Sequence, residues 1–178
     1  MDDGSGTENG LRHGVTEPAH RGDERTALLG FLQRQRDLVI WKVRDGDDND
    51  LRSVSTSTDL TVHGIVRHLK NVERSWIQER FAGRTDLAYD WTDEDPDGEL
   101  HVPAGIPMAE LISDYVEESK TCDRIIAEAS LDQVAAHRDM SLRWIVLHLI
   151  EETGRHLGQL DLLREQADGS VGEEPVDS

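Results

Sequence analysis

The segment from Ser141 to Glu165 is the feature that most constrains how this chain can fold. Apolar residues recur in it at steps of three and four, which is typical of the buried face of an amphipathic helix. They are Leu142, Ile145, Val146, Leu149, Leu160 and Leu163. The same spacing, continued through the middle of the segment, places Glu152 and His156 on that face. Because burying an ionisable group is costly unless it is paired or binds a metal, this pair needs an explanation.

Glu152 and His156 could be two ligands of one metal ion. A separation of four residues is about 40° of net rotation on a helix, so the two side chains point the same way. His68 is the best candidate for a third ligand, since it borders the apolar face of another predicted helix. Two imidazoles and one carboxylate leave coordination positions open, as in catalytic metal sites. An ordinary hydrogen-bonded Glu–His pair explains the spacing equally well, so both interpretations stay open at this point.

Hydrophobic periodicity and end signals predict an all-α fold with four amphipathic helices and no convincing strand. The predicted helices cover about residues 23–44, 58–81, 107–129 and 141–168. The expected architecture is a four-helix bundle, in which inward-facing side chains are the usual place for a metal site.

The chain divides into one domain and two tails. We predict a disordered tail at 1–22, the bundle at 23–168 and a disordered acidic tail at 169–178. The connection 84–105 is long for a compact domain, and such connections usually have a function or wrap the fold. It could fold over the site.

Charge and composition exclude several classes of function. The net charge of -18, from 37 acidic and 19 basic residues, disfavours nucleic acid and anionic membrane surfaces as partners. The single cysteine excludes an intramolecular disulfide, and no apolar run or N-terminal leader suggests a membrane or secretory route, so we predict a cytoplasmic protein. No HExxH, Walker or GxSxG motif is found.

His148 lies eight residues before His156, about 80° away around the helix. It is either a general base close to the metal or a core histidine bonded to a backbone group. The structural role is the favoured interpretation, and His148 is the candidate catalytic residue if the site is that of an enzyme.

Three segments carry a family resemblance: Arg67-His-Leu-Lys-Asn-Val-Glu-Arg-Ser-Trp76, Trp91-Thr-Asp-Glu-Asp-Pro-Asp97, and the helix from Ser141 to Glu165. In order and spacing they resemble the DinB/YfiT-like metalloenzyme superfamily, in a branch long described only as a domain of unknown function. The resemblance extends over about residues 24–166. The same part of the chain is also similar to the N-terminal domain of the mycothiol-dependent maleylpyruvate isomerases.

The resemblance implies a four-helix bundle that binds a divalent metal through one histidine of the second helix and two residues of the fourth. By position these are His68, Glu152 and His156. Many DinB members have histidine at the position of Glu152, whereas the maleylpyruvate isomerases use a His, Glu, His set with zinc. Zinc is therefore the expected ion, with nickel, iron or manganese as alternatives.

The resemblance further implies chemistry with a low-molecular-weight thiol such as mycothiol or bacillithiol, in an S-transferase or isomerase acting on a small molecule. A divalent ion lowers the pKa of a bound thiol or water and so supplies a nucleophile at neutral pH. The alternatives are a metal-dependent hydrolase and a non-catalytic, metal-stabilised bundle that binds a small molecule or protein. A homodimer is possible, although no sequence feature demands one.

Overall fold

A computed structural model describes residues 11, 12 and 14–172, and this part of the chain is mostly helical. The all-α prediction is therefore confirmed. The elements in chain order are β1 (Leu11–Arg12), β2 (Val15–Thr16), α1 (Glu24–Arg44), α2 (Asp48–Arg52), α3 (Val62–Glu73), a π-helix (Arg74–Phe81), a 3-10 turn (Gly98–Leu100), α4 (Met108–Glu128) and α5 (Leu142–Asp168).

Side-chain caps begin the helices at positions that the sequence signals. The carboxylate of Asp23 accepts a hydrogen bond from the Thr26 backbone N–H at 2.7 Å and so begins α1. Ser141 caps α5 in the same way, through the Trp144 backbone N–H at 3.3 Å. Gly169 ends α5 with φ of +77°, a left-handed conformation that glycine adopts at little cost.

The start of α3 differs from the prediction, which began this helix at about residue 58. Thr61 is the cap, because its hydroxyl accepts a hydrogen bond from the Gly64 N–H at 3.0 Å. Asp59 instead adopts a positive φ of 59° in the preceding turn. The predicted loop after α1 contains the short helix α2, which Asp47 caps and which fully buries Leu51.

The described part of the predicted N-terminal tail contacts the domain. β1 and β2 form an antiparallel hairpin, and Val15 is only 2% exposed in the core. The Thr16 backbone N–H donates to the Asp37 carboxylate of α1 at 2.8 Å. Residues 11, 12 and 14–22 of the predicted tail are thus described with secondary structure or contacts to the domain, whereas residues 1–10 and 13 lie outside the described part of the chain.

The C-terminal tail leaves α5 and returns to the domain. Lys42 of α1 donates a hydrogen bond to the backbone carbonyl of Gly172 and pairs with Asp161 of α5. Residues 173–178 of the predicted acidic tail are not among those described.

The four long helices pack on one another, with α3 in contact with both α4 and α5, and α1 against α5. Apolar side chains fill two core clusters between them. A buried ion pair joins α1 to α3, in which Arg36 donates to both carboxylate oxygens of Glu73 at 2.7 and 2.6 Å. The contact between α3 and α5 brings polar residues of the two helices next to one another. No helix in the described residues is long and apolar enough to cross a membrane.

Candidate metal centre

Three residues predicted as metal ligands meet between α3 and α5. His68 comes from α3, and Glu152 and His156 come from successive turns of α5. One potential ligand atom from each lies within 4.8 Å of the other two. The Glu152 Oε1 atom is 3.3 Å from the His156 Nε2 atom and 3.6 Å from the His68 Nε2 atom. The spacing argument for Glu152 and His156 therefore matches the geometry, and tertiary packing brings His68 to them.

Both imidazoles are held through the nitrogen that faces away from Glu152. The His68 Nδ1 atom lies 2.7 Å from the Glu99 Oε1 atom, and the His156 Nδ1 atom lies 2.7 Å from the Gln159 Oε1 atom. Both partners are acceptors, so each neutral ring donates its Nδ1–H to them. The lone pair of each Nε2 then faces Glu152, which is the tautomer and orientation that a metal-binding histidine requires.

The arrangement fits a divalent ion by donor type and by spacing. Imidazole nitrogen and carboxylate oxygen together suit zinc and other first-row metals. With metal–ligand bonds of about 2.0–2.1 Å, two ligand atoms of a tetrahedral site lie about 3.3 Å apart. The two nitrogen–oxygen separations of 3.3 and 3.6 Å are close to that value.

Burial and neighbouring charge shift the pKa values of the two histidines in opposite directions. Burial lowers the pKa of His68, but hydrogen bonds and charge from Glu99 and Glu152 outweigh it and raise that pKa above its ordinary value. Burial, together with the charge of His68, lowers the pKa of His156. Without a metal, His68 therefore takes up a proton more readily than His156 does. A divalent ion would have to displace that proton.

Glu99 reaches His68 because the connection 84–105 is fastened to α3. The guanidinium of Arg67 donates to the backbone carbonyls of Glu99 at 2.6 Å and Gly98 at 2.7 Å. The Asn71 amide donates to the second carboxylate oxygen of Glu99 at 2.9 Å. Gly64 allows the close approach, since a Cβ there would lie 2.6 Å from the Leu100 carbonyl oxygen. The expectation that the connection folds over the site is met, although sequence analysis did not identify Glu99.

A cavity of about 350 Å³ opens beside these residues. His68 and Glu152 contribute to its wall, and so does Glu99. Trp76 and Trp91 supply aromatic surface to the same wall. Its size lies within the range of small-molecule sites, which combine apolar walls with a few placed polar groups.

The model of the mycothiol S-transferase family matches residues 27–169. This chain belongs to that family. The match covers most of the domain and includes every residue of the cluster between α3 and α5. It confirms the predicted relation to DinB/YfiT-like mycothiol enzymes. A comparison with individual curated proteins gave no match.

In this member of the S-transferase family, His148 lines the same cavity but is not one of the three grouped residues. Its ring stacks on Trp144, with centroids 5.5 Å apart, and meets Trp76 edge-on at 4.4 Å. Its Nδ1 atom is 3.8 Å from a carboxylate oxygen of Glu151. The imidazole is thus held mainly by aromatic contacts, and its role as a general base stays a prediction.

Proposed function

We propose that this chain is a divalent-metal-dependent S-transferase that joins mycothiol to a small electrophile. In this proposal His68, Glu152 and His156 hold the ion, with zinc as the preferred metal, inside a DinB-like four-helix bundle. The observation that carries the proposal is the convergence of these three side chains on one another, with two of them in the wall of a cavity of small-molecule size, in a member of the mycothiol S-transferase family.

A divalent ion bound here would lower the pKa of a thiol and so supply a sulfur nucleophile at neutral pH. The protein's own residues orient the ligand set: Glu99 and Gln159 fix the two imidazole rings. Glu152 adds one negative charge, which makes the site less electrophilic than three histidines would. The rings of Trp76 and Trp91 exclude water from part of the cavity wall.

The transfer forms one sulfur–carbon bond and breaks the bond between that carbon and its leaving group, which departs with the bonding electrons. The thiol loses its S–H proton in the same process. His148 is the candidate for accepting that proton at a ring nitrogen, because its imidazole lies in the same cavity wall.

The first experiment is metal analysis by mass spectrometry of the purified wild type, His156→Ala and His148→Ala. We expect about one ion per chain in the wild type and in His148→Ala, and loss of the ion in His156→Ala. His148→Ala is the matched control, since it removes an imidazole of the same cavity that is outside the ligand set. Absence of metal from the wild type after reconstitution would contradict the proposal.

The second experiment measures transfer to 1-chloro-2,4-dinitrobenzene, with chloride as the leaving group, using mycothiol and glutathione as alternative thiols. We expect metal-dependent product with mycothiol and much less with glutathione. Metal-dependent loss of chloride without any thiol would indicate a hydrolase that uses water instead.

A further inference from the structure

Arg80 is the one lysine or arginine among the described residues that line the cavity. Its guanidinium lies over the ring of Trp76, 4.1 Å from the ring centroid. No carboxylate in the described part of the chain pairs with it. In a protein of net charge -18, an arginine that faces a cavity without an acidic partner is unusual.

The other cations of the same helical stretch have partners: Arg67 donates to two backbone carbonyls, and the remaining two have acidic partners. Lys70 pairs with Asp90 at 2.7 Å, and Arg74 pairs with Glu118 at 2.6 Å. Arg80 follows Arg74 within the π-helix, a conformation that is rare and often found at functional sites. The cation–π contact with Trp76 holds its guanidinium in place and leaves its N–H groups free to donate.

The charge of the cavity wall also favours an anionic ligand once a metal is bound. Glu99 and Glu152 are the carboxylates of the wall, and a divalent ion beside them would balance their two negative charges. The remaining formal charge is the positive charge of Arg80.

We propose that Arg80 binds a carboxylate of the electrophilic substrate. This inference rests on the proposed transferase function and names its substrate class: small, elongated electrophiles with an aromatic or apolar body and a carboxylate far from the reacting carbon. The planar guanidinium suits a carboxylate, which it can bind through two parallel hydrogen bonds. Arg80 lies twelve positions after His68, about three helical turns further along, and its guanidinium lies over Trp76, so the carboxylate end occupies a different part of the cavity wall from the metal ligands.

Binding is tested without turnover, by NMR titration of the metal-loaded full chain with benzoate and with benzamide, its neutral counterpart. The indole N–H signals of Trp76 and Trp91 report directly on the cavity. We expect benzoate to bind more tightly than benzamide, and Arg80→Gln to weaken benzoate about tenfold while leaving benzamide unchanged. Arg80→Lys, which keeps the charge but not the planar fork, should fall between the two.

Arg124→Gln is the matched control, because it makes the same charge change on α4 away from the cavity wall. It should bind benzoate like the wild type. Equal binding of benzoate and benzamide by the wild type would overturn the proposal. So would a benzoate preference that survives Arg80→Gln but disappears when the metal is removed, since the carboxylate would then be binding the ion itself.

A kinetic comparison separates this inference from the proposed function. With mycothiol, Arg80→Gln should raise KM about tenfold for 4-chloro-3,5-dinitrobenzoate, but not for the corresponding benzamide or for the thiol. Absence of turnover in the wild type would contradict the transferase function, and the benzoate titration would still test Arg80. Equal increases in KM for the acid and the amide would refute carboxylate recognition.

Discussion

Replacing Glu99 by glutamine should weaken metal binding without unfolding the protein. The carboxylate of Glu99 is 2.7 Å from the Nδ1 atom of His68 and is largely shielded from water. A carboxylate in this position fixes the ring and increases the basicity of the other nitrogen. Glutamine keeps an acceptor oxygen at the same place but removes the charge, so the ring stays oriented while its Nε2 becomes a weaker ligand.

The expected loss of affinity follows from that chemistry. Partners behind a metal ligand typically contribute 10- to 100-fold to affinity, and the retained acceptor places this variant at about tenfold, or about 1.4 kcal/mol. Zinc affinity is measured by competition with a chromophoric chelator. A pH of about 8.5 reduces competition from the proton that Glu99 and Glu152 favour on His68.

Asp90→Asn is the control for Glu99→Gln. Asp90 belongs to the same connection and accepts a hydrogen bond from Asn71, as Glu99 does, but it contacts no proposed metal ligand. The substitution removes the same negative charge as Glu99→Gln. Its zinc affinity should stay within about twofold of the wild type. If both variants lose affinity equally, or if Glu99→Gln binds zinc like the wild type, then Glu99 does not act through His68.

Three further predictions concern the stability of the fold. Gly64→Ala should destabilise the protein by about 1–3 kcal/mol and weaken zinc binding, because the new Cβ would collide with the Leu100 carbonyl and push the connection outward. Urea unfolding measures the first effect and zinc titration the second. An unchanged zinc affinity would refute the link between the position of the connection and metal binding. Glu73→Ala should cost about 3 kcal/mol in urea unfolding, since it removes the buried carboxylate partner of Arg36 and leaves that guanidinium with only the half-exposed Asp123 as a carboxylate partner. A cost below about 1 kcal/mol would contradict this. Burial lowers the pKa of His63 despite its hydrogen bond to Asp48, so the contribution of the neutral ring to folding stability is complete above about pH 6.5 and is lost as the pH falls. Between about pH 7 and 5 the wild type should lose more stability than His63→Gln. Parallel plots of unfolding free energy against pH for the two proteins would refute this.

The helices could be predicted where local chemistry determines them. Ser141 and Gly169 mark the ends of α5 through a side-chain cap and a left-handed backbone, and both signals are local in sequence. The helix α2 was missed because its five residues are too short for periodicity and contain a single buried apolar residue, Leu51. The hairpin around Val15 depends on packing against α1, which no local pattern in a polar segment reveals.

The same distinction applies to the candidate site. Glu152 and His156 could be paired from sequence because one helical turn fixes their relation. Periodicity on the second predicted helix made His68 a candidate, but whether it meets the pair depends on how α3 packs on α5, and only the family resemblance implied that meeting. Glu99 and Arg80 were missed: the first reaches the site through an irregular connection, and the second faces the cavity from a π-helix whose register sequence periodicity does not describe.

The sequence separation of the grouped residues has a thermodynamic consequence. α3 and α5 are divided by the whole connection 84–105 and by α4, so the cluster exists only when the chain is folded. An ion that binds it would add a stabilising free energy that depends on the free metal concentration, about 2.7 kcal/mol at one hundred times Kd. The amount of folded protein, and its resistance to proteolysis, would then follow the supply of metal.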